Sequence, residues 1–392
     1  MSVDPNTQIL PILAKLVSIP SVYPPGDTGE IATYLDETLR ALGFSSHIYQ
    51  VQDGPHNVIA RIGSGRPSLV LNAHVDTVDV GDLTHWSRPP FELTVDGGRA
   101  YGLGAANCKG SAAVQLWLAE QIARRGGPAR GEIVFTFVGD EESLGPKGMS
   151  ALRELGIVEP DMLLLGAPTE NSLITTERGV LWAELTTTGL SAHAGEPERG
   201  DNAIMRMLRI LRHVDEELSS RLRIRHGGGM RSTYNIGKIA GGRNTNVVPS
   251  MCTAQIDRRL LPTETVVEAF AELQSIVQST NEPRDSVSLR QLCGTNGFIA
   301  SEEKLLVRAL REAITHVTGR DAQFSQAIGV SDGRYFADDG IEIVNFGPGE
   351  GEQGHASNES VNLDSLRASA LILERTVTEL LGTRRPAPAT EG

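Results

Sequence analysis

The chain has 392 residues, 40% hydrophobic and 22% charged, an ordinary globular composition on a length generous for one hydrophobic core, so two domains are expected. A formal net charge of −13 disfavours nucleic acid or an anionic membrane surface as partner. Three cysteines (Cys108, Cys252, Cys293) without paired spacing argue for a reducing compartment, and with no basic-then-apolar stretch in 1–8 and no bilayer-length apolar run, a cytoplasmic location is expected.

Taken in chain order, 9–19 carries apolar residues at helical spacing (Ile9, Ile12, Leu13, Leu16) and stops at Pro20. A Pro/Gly loop leads to an amphipathic helix at 29–42, closed by Gly43. Strands are expected at 44–51 and 57–62. Buried-strand runs follow at 68–73, 132–138 and 161–165, with helices at 112–124 and 147–155 between them. Strand–loop–helix alternation of this kind predicts an α/β fold, a mostly parallel sheet covered by helices. Each buried run ends on reactive or small residues: His74 after the first, Gly139-Asp140-Glu141-Glu142 after the second, Gly166-Ala167-Pro168 after the third. The carboxyl ends of such strands are where these sheets place their sites.

The texture changes near Gly179. Alternating strands at 180–188, 233–239, 247–258 and 286–292 are interleaved with helices at 202–218 and 263–278. Strand–helix–strand–strand–helix–strand predicts a smaller α/β domain inserted into the first. The large-domain pattern then resumes with a helix at 302–318, a short helix at 334–337, a strand at 341–346 and a last helix at 363–381. The expected divisions are 1–178 and 295–382 for the large catalytic domain, 179–294 for the insert, and a disordered Pro/Ala tail at 383–392.

Several residues at these strand ends are metal-ligand types. His74 offers an imidazole, with the Asp76 carboxylate placed to orient it. Glu141 and Glu142 offer two carboxylates that cannot both point one way, so one suits a metal and the other proton transfer. His355, in Gly354-His355-Ala356-Ser357-Asn358-Glu359, is a second imidazole. Singly, each has a plainer account: a strand-end His is more often a hydrogen-bonded structural residue, and Glu-Glu a solvated helix start.

Together they resemble the acetylornithine deacetylase / succinyl-diaminopimelate desuccinylase / aminoacylase / carboxypeptidase G family of di-zinc amidohydrolases and exopeptidases. The resemblance runs over 8–382. It rests on Leu71-Asn72-Ala73-His74-Val75-Asp76-Thr77-Val78, Gly139-Asp140-Glu141-Glu142, Ser191-Ala192-His193, Asn244-Thr245-Asn246-Val247-Val248-Pro249, Asp257-Arg258, Ser331-Asp332-Gly333-Arg334-Tyr335 and Gly354-His355-Ala356. It implies metals in the large domain, with the insert as lid and homodimer surface. It implies that His74, His355 and Glu142 ligate metal, that Asp76 stands behind His74, and that Glu141 is the general base. By the same resemblance His193 would stabilise an oxyanion, and Asn246, Arg258 and Arg334 would hold the substrate.

Two positions depart from that pattern. The loop Tyr101-Gly102-Leu103-Gly104-Ala105-Ala106-Asn107-Cys108-Lys109-Gly110 ordinarily carries a metal-bridging Asp where Asn107 stands, and a ligating acid is replaced by Ala167. The expectation is at most one ion, zinc or in its place cobalt or manganese, with Asn107 a weak ligand, or no ion at all. Cys108 as a replacement ligand or nucleophile, and Glu170 as a substitute carboxylate, are the minor readings. Three function classes follow. The first is an amidohydrolase acting on an N-acyl amino acid or small peptide-like substrate. The second is a metal-independent relative catalysing acyl transfer, condensation or cyclisation, and the third a non-catalytic binding protein.

Overall fold

The runs expected as buried strands lie side by side in the middle of one sheet, their ends gathering the reactive residues at one edge. The computed structural model describes residues 4–227, 229–327 and 329–384. Helices α1 (Asn6–Ser18) and α2 (Gly29–Ala41) lead into β1 (Ser45–Gln50), β2 (His56–Gly63) and β3 (Ser68–His74). A hairpin of β4 (Thr94–Asp96) and β5 (Arg99–Tyr101) precedes α3 (Lys109–Arg124), β6 (Glu132–Val138), α4 (Met149–Glu154), β7 (Met162–Leu165) and β8 (Leu173–Ile174). Next come β9 (Thr176–Glu177), β10 (Gly179–Thr188), α5 (Ala203–Leu222), β11 (His226–Gly227), β12 (Met230–Arg231), β13 (Thr233–Gly241), β14 (Met251–Leu260), α6 (Val266–Gln278), β15 (Val287–Thr295) and β16 (Phe298–Ile299). The remainder is α7 (Leu305–Thr318), β17 (Phe324–Ser325), β18 (Glu342–Asn345), β19 (Ser360–Asn362) and α8 (Leu363–Leu381).

The chain divides into two units, one of residues 1–175, 300–325 and 331–392, the other of 176–299 and 326–330. The first holds an eight-stranded sheet in the order β1-β2-β6-β3-β7-β18-β8-β17. Its centre is parallel: β3 pairs with β6 and with β7, and β7 with β18. All seven residues of β3 are buried, as a strand covered on both faces requires. Leu13 and Leu16 of α1, Leu35 of α2, Leu116 of α3 and Leu373 of α8 share one core with Leu71 of β3 and Phe135 of β6. Each such side chain, fully removed from water, contributes about 1.5–3 kcal/mol. Beside this sheet, β19-β5-β4 form a small antiparallel sheet that the sequence periodicity does not mark, its strands being only three residues long.

The second unit is an antiparallel sheet, β13-β14-β10-β15, packed through Leu185, Ala254 and Ile256 against Met207 and Ile210 of α5 and Leu273 of α6. Asn202 caps α5, its Oδ1 accepting from the Met205 amide, and Thr265 and Glu268 close a reciprocal capping box on α6. This unit is wider than 179–294 because β9 pairs with β16 at its base.

Two expectations change here. Thr383 and Arg384, assigned to the tail, are held: Thr383 bridges to Pro128, and Arg384 donates through Nε to the Pro128 carbonyl at 3.1 Å. Residues 385–392 of that tail lie outside the described residues. Arg258, expected to hold substrate, is 1% exposed inside the second unit. Its Nη2 donates to Glu272 at 2.7 Å and to Glu264 at 3.2 Å, and its Nη1 to the Ala269 carbonyl at 3.1 Å. Two carboxylates and a carbonyl take up both terminal nitrogens of this guanidinium, its buried Nε having no hydrogen-bond partner among the described residues, which makes it an internal ion-pair centre. Among the described residues, no helix is long and apolar enough to cross a membrane.

Candidate active site

His74 is the last residue of β3, and Glu141 and Glu142 lie just past the end of β6, its parallel neighbour. Adjacent parallel strands thus bring an imidazole and two carboxylates to one edge, and the donor atoms of His74, Glu141 and Glu142 all lie within 4.8 Å of one another. His74 Nε2 is 3.8 Å from Glu141 Oε2, and its Nδ1 faces Asp76, 3.1 Å from the carbonyl and 3.4 Å from Oδ1. Asp76 is fully buried, and its Oδ2 accepts from the Glu142 amide at 3.1 Å. Asp76 therefore holds the imidazole through its carbonyl and the acidic loop through its carboxylate.

Asn107 arrives from the turn before α3. Gly104 sits there at φ +81°, and a Cβ on it would meet the side chains of Lys109 and Thr77 at 3.0 Å. The Asn107 carbonyl oxygen is 3.2 Å from His74 Nε2, while its Nδ2 donates to Glu142 Oε1 at 2.7 Å and lies 3.3 Å from His355 Nε2. His355 Nε2 is itself 2.7 Å from Glu142 Oε1. The first unit thus unites His74, Asp76, Asn107, Glu141, Glu142 and His355.

Charge in this cluster follows burial and neighbours. Burial pushes the Glu141 carboxyl up to about 8 against the opposing pull of His74, with Asp332 and Glu142 adding to the rise. Burial also raises Glu142, but the hydrogen bond from His355 and the charge of His74 outweigh it and leave that carboxyl below its usual range. For His74 burial alone would lower the imidazole; Glu141, Asp76 and Cys108 reverse this and hold it well above its ordinary value. His355 is raised, chiefly by its hydrogen bond to Glu142.

Arg334, on the 3-10 turn Asp332–Phe336, is 4% exposed and donates to the Tyr335 hydroxyl at 2.8 Å. Tyr335 in turn donates to the Gly145 carbonyl at 2.8 Å, tying this turn to the loop that begins at Glu141. Its charge lowers Glu141, in opposition to the buried Asp332. Cys108 is buried and donates its S–H to the Gly166 carbonyl at 3.0 Å. His193, Asn246 and Arg258 belong to the second unit. There the His193 Nδ1 accepts from the Gly195 amide at 3.0 Å, which leaves the proton on Nε2, and the Asn246 carbonyl accepts from Ala194 at 3.0 Å.

The donor set fits a divalent ion. One imidazole and two carboxylates stand close enough to share an ion, but the amide of Asn107 turns its NH2 toward Glu142 and His355, where a second ion would need an anionic oxygen. Ala167 contributes only a methyl group on the loop after β7.

Two residues near the site escape sequence reasoning. Glu359, 1% exposed, accepts the amides of Gly104, Ala106 and Asn107. Lys109, fully buried, donates to the Ile19 carbonyl at 2.9 Å, and burial lowers its ammonium to about 7 although Glu359 opposes the shift. A charged residue beside a ligand segment reads as solvated surface; that backbone groups from far along the chain satisfy it appears only in the fold.

A succinyl-diaminopimelate desuccinylase from Marinobacter nauticus is 27% identical over 393 residues, covering 97% of this chain and 100% of that protein. An M20 family metallo-carboxypeptidase from Sulfolobus solfataricus superposes with a TM-score of 0.77 at 19% identity, covering 94% of this chain and 98% of that one. A dinuclear metal binding peptidase of the M20 family from Bacillus subtilis superposes at 0.69 with 15% identity, over 97% and 99% of the two chains. Residues 70–379 match the model of peptidase family M20/M25/M40, and with that match over most of its length the chain belongs to this family.

Proposed function

We propose that the chain is an amide-bond hydrolase acting on N-acyl amino acids or small peptide-like substrates, with Glu141 as its proton-transfer group and a centre that holds at most one metal ion. The observation that carries this is Glu141 itself: a carboxyl beside His74 and Glu142, pushed up to about 8 by burial, so that it exchanges a proton near neutral pH. As carboxylate, Glu141 takes a proton from the attacking water; as acid, it delivers that proton to the leaving amine. Asp76 keeps His74 oriented and the acidic loop in place. His193, with its proton on Nε2, suits donation to the oxygen of a tetrahedral intermediate, and Asn246 is assigned to the substrate's carboxylate or acyl end, with Arg334 assisting. His74 and Glu142 would hold the ion, zinc or in its place cobalt or manganese, with Asn107 and His355 beside them; the chemistry it supplies when bound is polarisation of the scissile carbonyl. The second unit is assigned as the surface of a homodimer, which sedimentation of the purified chain checks: a mass of one chain removes that assignment.

One observation favours a second reading, a metal-independent acyl transfer, condensation or cyclisation. The Asn107 amide, neutral where a charged bridging ligand is expected, joins His74 to Glu142 by hydrogen bonds. A panel of N-acetyl and N-succinyl amino acids and dipeptides, assayed with and without chelator alongside elemental analysis, separates the two. Hydrolysis lost on chelation and restored by zinc supports the first; turnover indifferent to chelator supports the second.

A further inference from the structure

Glu359 makes an unusual set of contacts for a buried carboxylate. Its Oε2 accepts from the Gly104 amide at 2.8 Å, and its Oε1 from Ala106 at 2.9 Å and Asn107 at 2.8 Å. Its own carbonyl accepts from Gly102 at 2.9 Å, and one residue later β19 begins its pairing with β5. The whole turn from 102 to 107 is thus wrapped on one residue. The inner side of the turn is filled by Lys109, whose amide donates to the Gly104 carbonyl at 2.7 Å.

The same segment bears His355, four residues upstream, and Asn358 anchors it: Oδ1 accepts from the Ser87 amide at 2.7 Å, and Nδ2 donates to the His85 carbonyl at 2.9 Å. One short stretch therefore presents His355 and, through Glu359, dictates where Asn107 stands. A carboxylate accepting several amides acts as a local template, and such charge-assisted bonds are about twice as strong as neutral ones.

We infer that Glu359 is a positioning residue that registers Asn107 against His355, Glu142 and His74 by holding the backbone amides of Gly104, Ala106 and Asn107 in the 104–107 turn. Its effect on turnover rests on the hydrolase reading above; its effect on the turn does not.

The test is native-state hydrogen exchange, read by mass spectrometry on the peptide spanning 102–108, in wild type and Glu359→Gln, together with steady-state kinetics on an N-acetyl amino acid. A Gln side chain offers one acceptor oxygen and turns an NH2 toward amides that need an acceptor. The expected result is exchange in 102–108 faster by tenfold or more, with peptides from β3 and β6 unchanged, and kcat reduced about tenfold while KM stays within twofold. Unchanged exchange in that peptide overturns the inference, as does acceleration spread evenly over the chain, or a wild-type kcat in a variant whose turn has loosened. Should Glu359→Gln not fold, Glu359→Asp, which keeps the charge but falls a methylene short, is judged by the same criteria. If wild type hydrolyses nothing, the hydrolase reading fails and the exchange result alone decides the role of Glu359.

Discussion

The carboxamide of Asn107 is polarised across the centre: Nδ2 donates to Glu142 at 2.7 Å while the carbonyl oxygen lies 3.2 Å from His74 Nε2. A carboxylate in its place would face both sides with oxygen and carry a negative charge to offset two cations. Asn107→Asp combined with Ala167→Glu is therefore expected to raise metal content from at most one ion per chain toward two, read by elemental analysis of protein purified without chelator. Content equal to wild type would show that the amide is not what limits the site.

Glu141→Gln is expected to lower kcat for amide hydrolysis by about 10²–10⁴-fold. The same change affects stability in the opposite sense. The folded carboxyl titrates near 8 and the unfolded one near its ordinary 4.5, so between these values the native state binds the extra proton and stability falls as pH rises. The variant removes that loss. Its thermal midpoint is expected to exceed that of wild type at pH 8 and to approach it at pH 4.5, as scanning calorimetry across that range checks.

Lys109 has the reverse dependence. Burial brings its ammonium down to about 7 from 10.5, so above 7 the unfolded state binds more protons and this residue's contribution to stability rises with pH up to its unfolded value. Lys109→Met abolishes that term and leaves the Ile19 carbonyl unpartnered, at a cost of about 1–3 kcal/mol. Urea unfolding of both proteins from pH 7 to 10 should show wild type gaining stability relative to the variant at each step.

Arg258→Ala is expected to destabilise the second unit by about 1–3 kcal/mol, because it takes from Glu264 and Glu272 one of the two arginines that pair with both, Arg225 remaining. Burial alone would raise Glu272, but Arg225 and Arg258 bring it down to about 2. Its stabilising contribution is complete above the ordinary carboxyl value and is lost as pH falls toward 2, so the variant's deficit is expected to shrink in acid. Urea midpoints at pH 7 and pH 3 measure this. A large rise in KM without loss of stability would instead return Arg258 to the substrate.

The strand ends were the legible part of this site. His74 follows an apolar run whose burial the sequence predicts, and Glu141 and Glu142 follow another, so parallel pairing alone brings them together. The order of the sheet and the role of Arg258 were not legible. Alternation in β14 puts Arg258 on the face of Cys252, Ala254, Ile256 and Leu260, but that Glu264 and Glu272 meet it there is set by the fold. Glu359 escaped for a related reason. Its partners are backbone amides some 250 residues away, and amides carry no sequence signature.

The place of β18 in the sheet bears on how the protein is made. It lies between β7 and β8, yet comprises Glu342–Asn345, while β7 ends at Leu165. On a ribosome adding about 5–20 residues per second, the apolar flank of β7 waits on the order of ten seconds or more for its neighbour. Throughout that interval β7, paired with β3 on one side, leaves its other leucine-rich edge open on the nascent chain. Since His355 and Glu359 emerge later still, the centre cannot assemble until that stretch has been made.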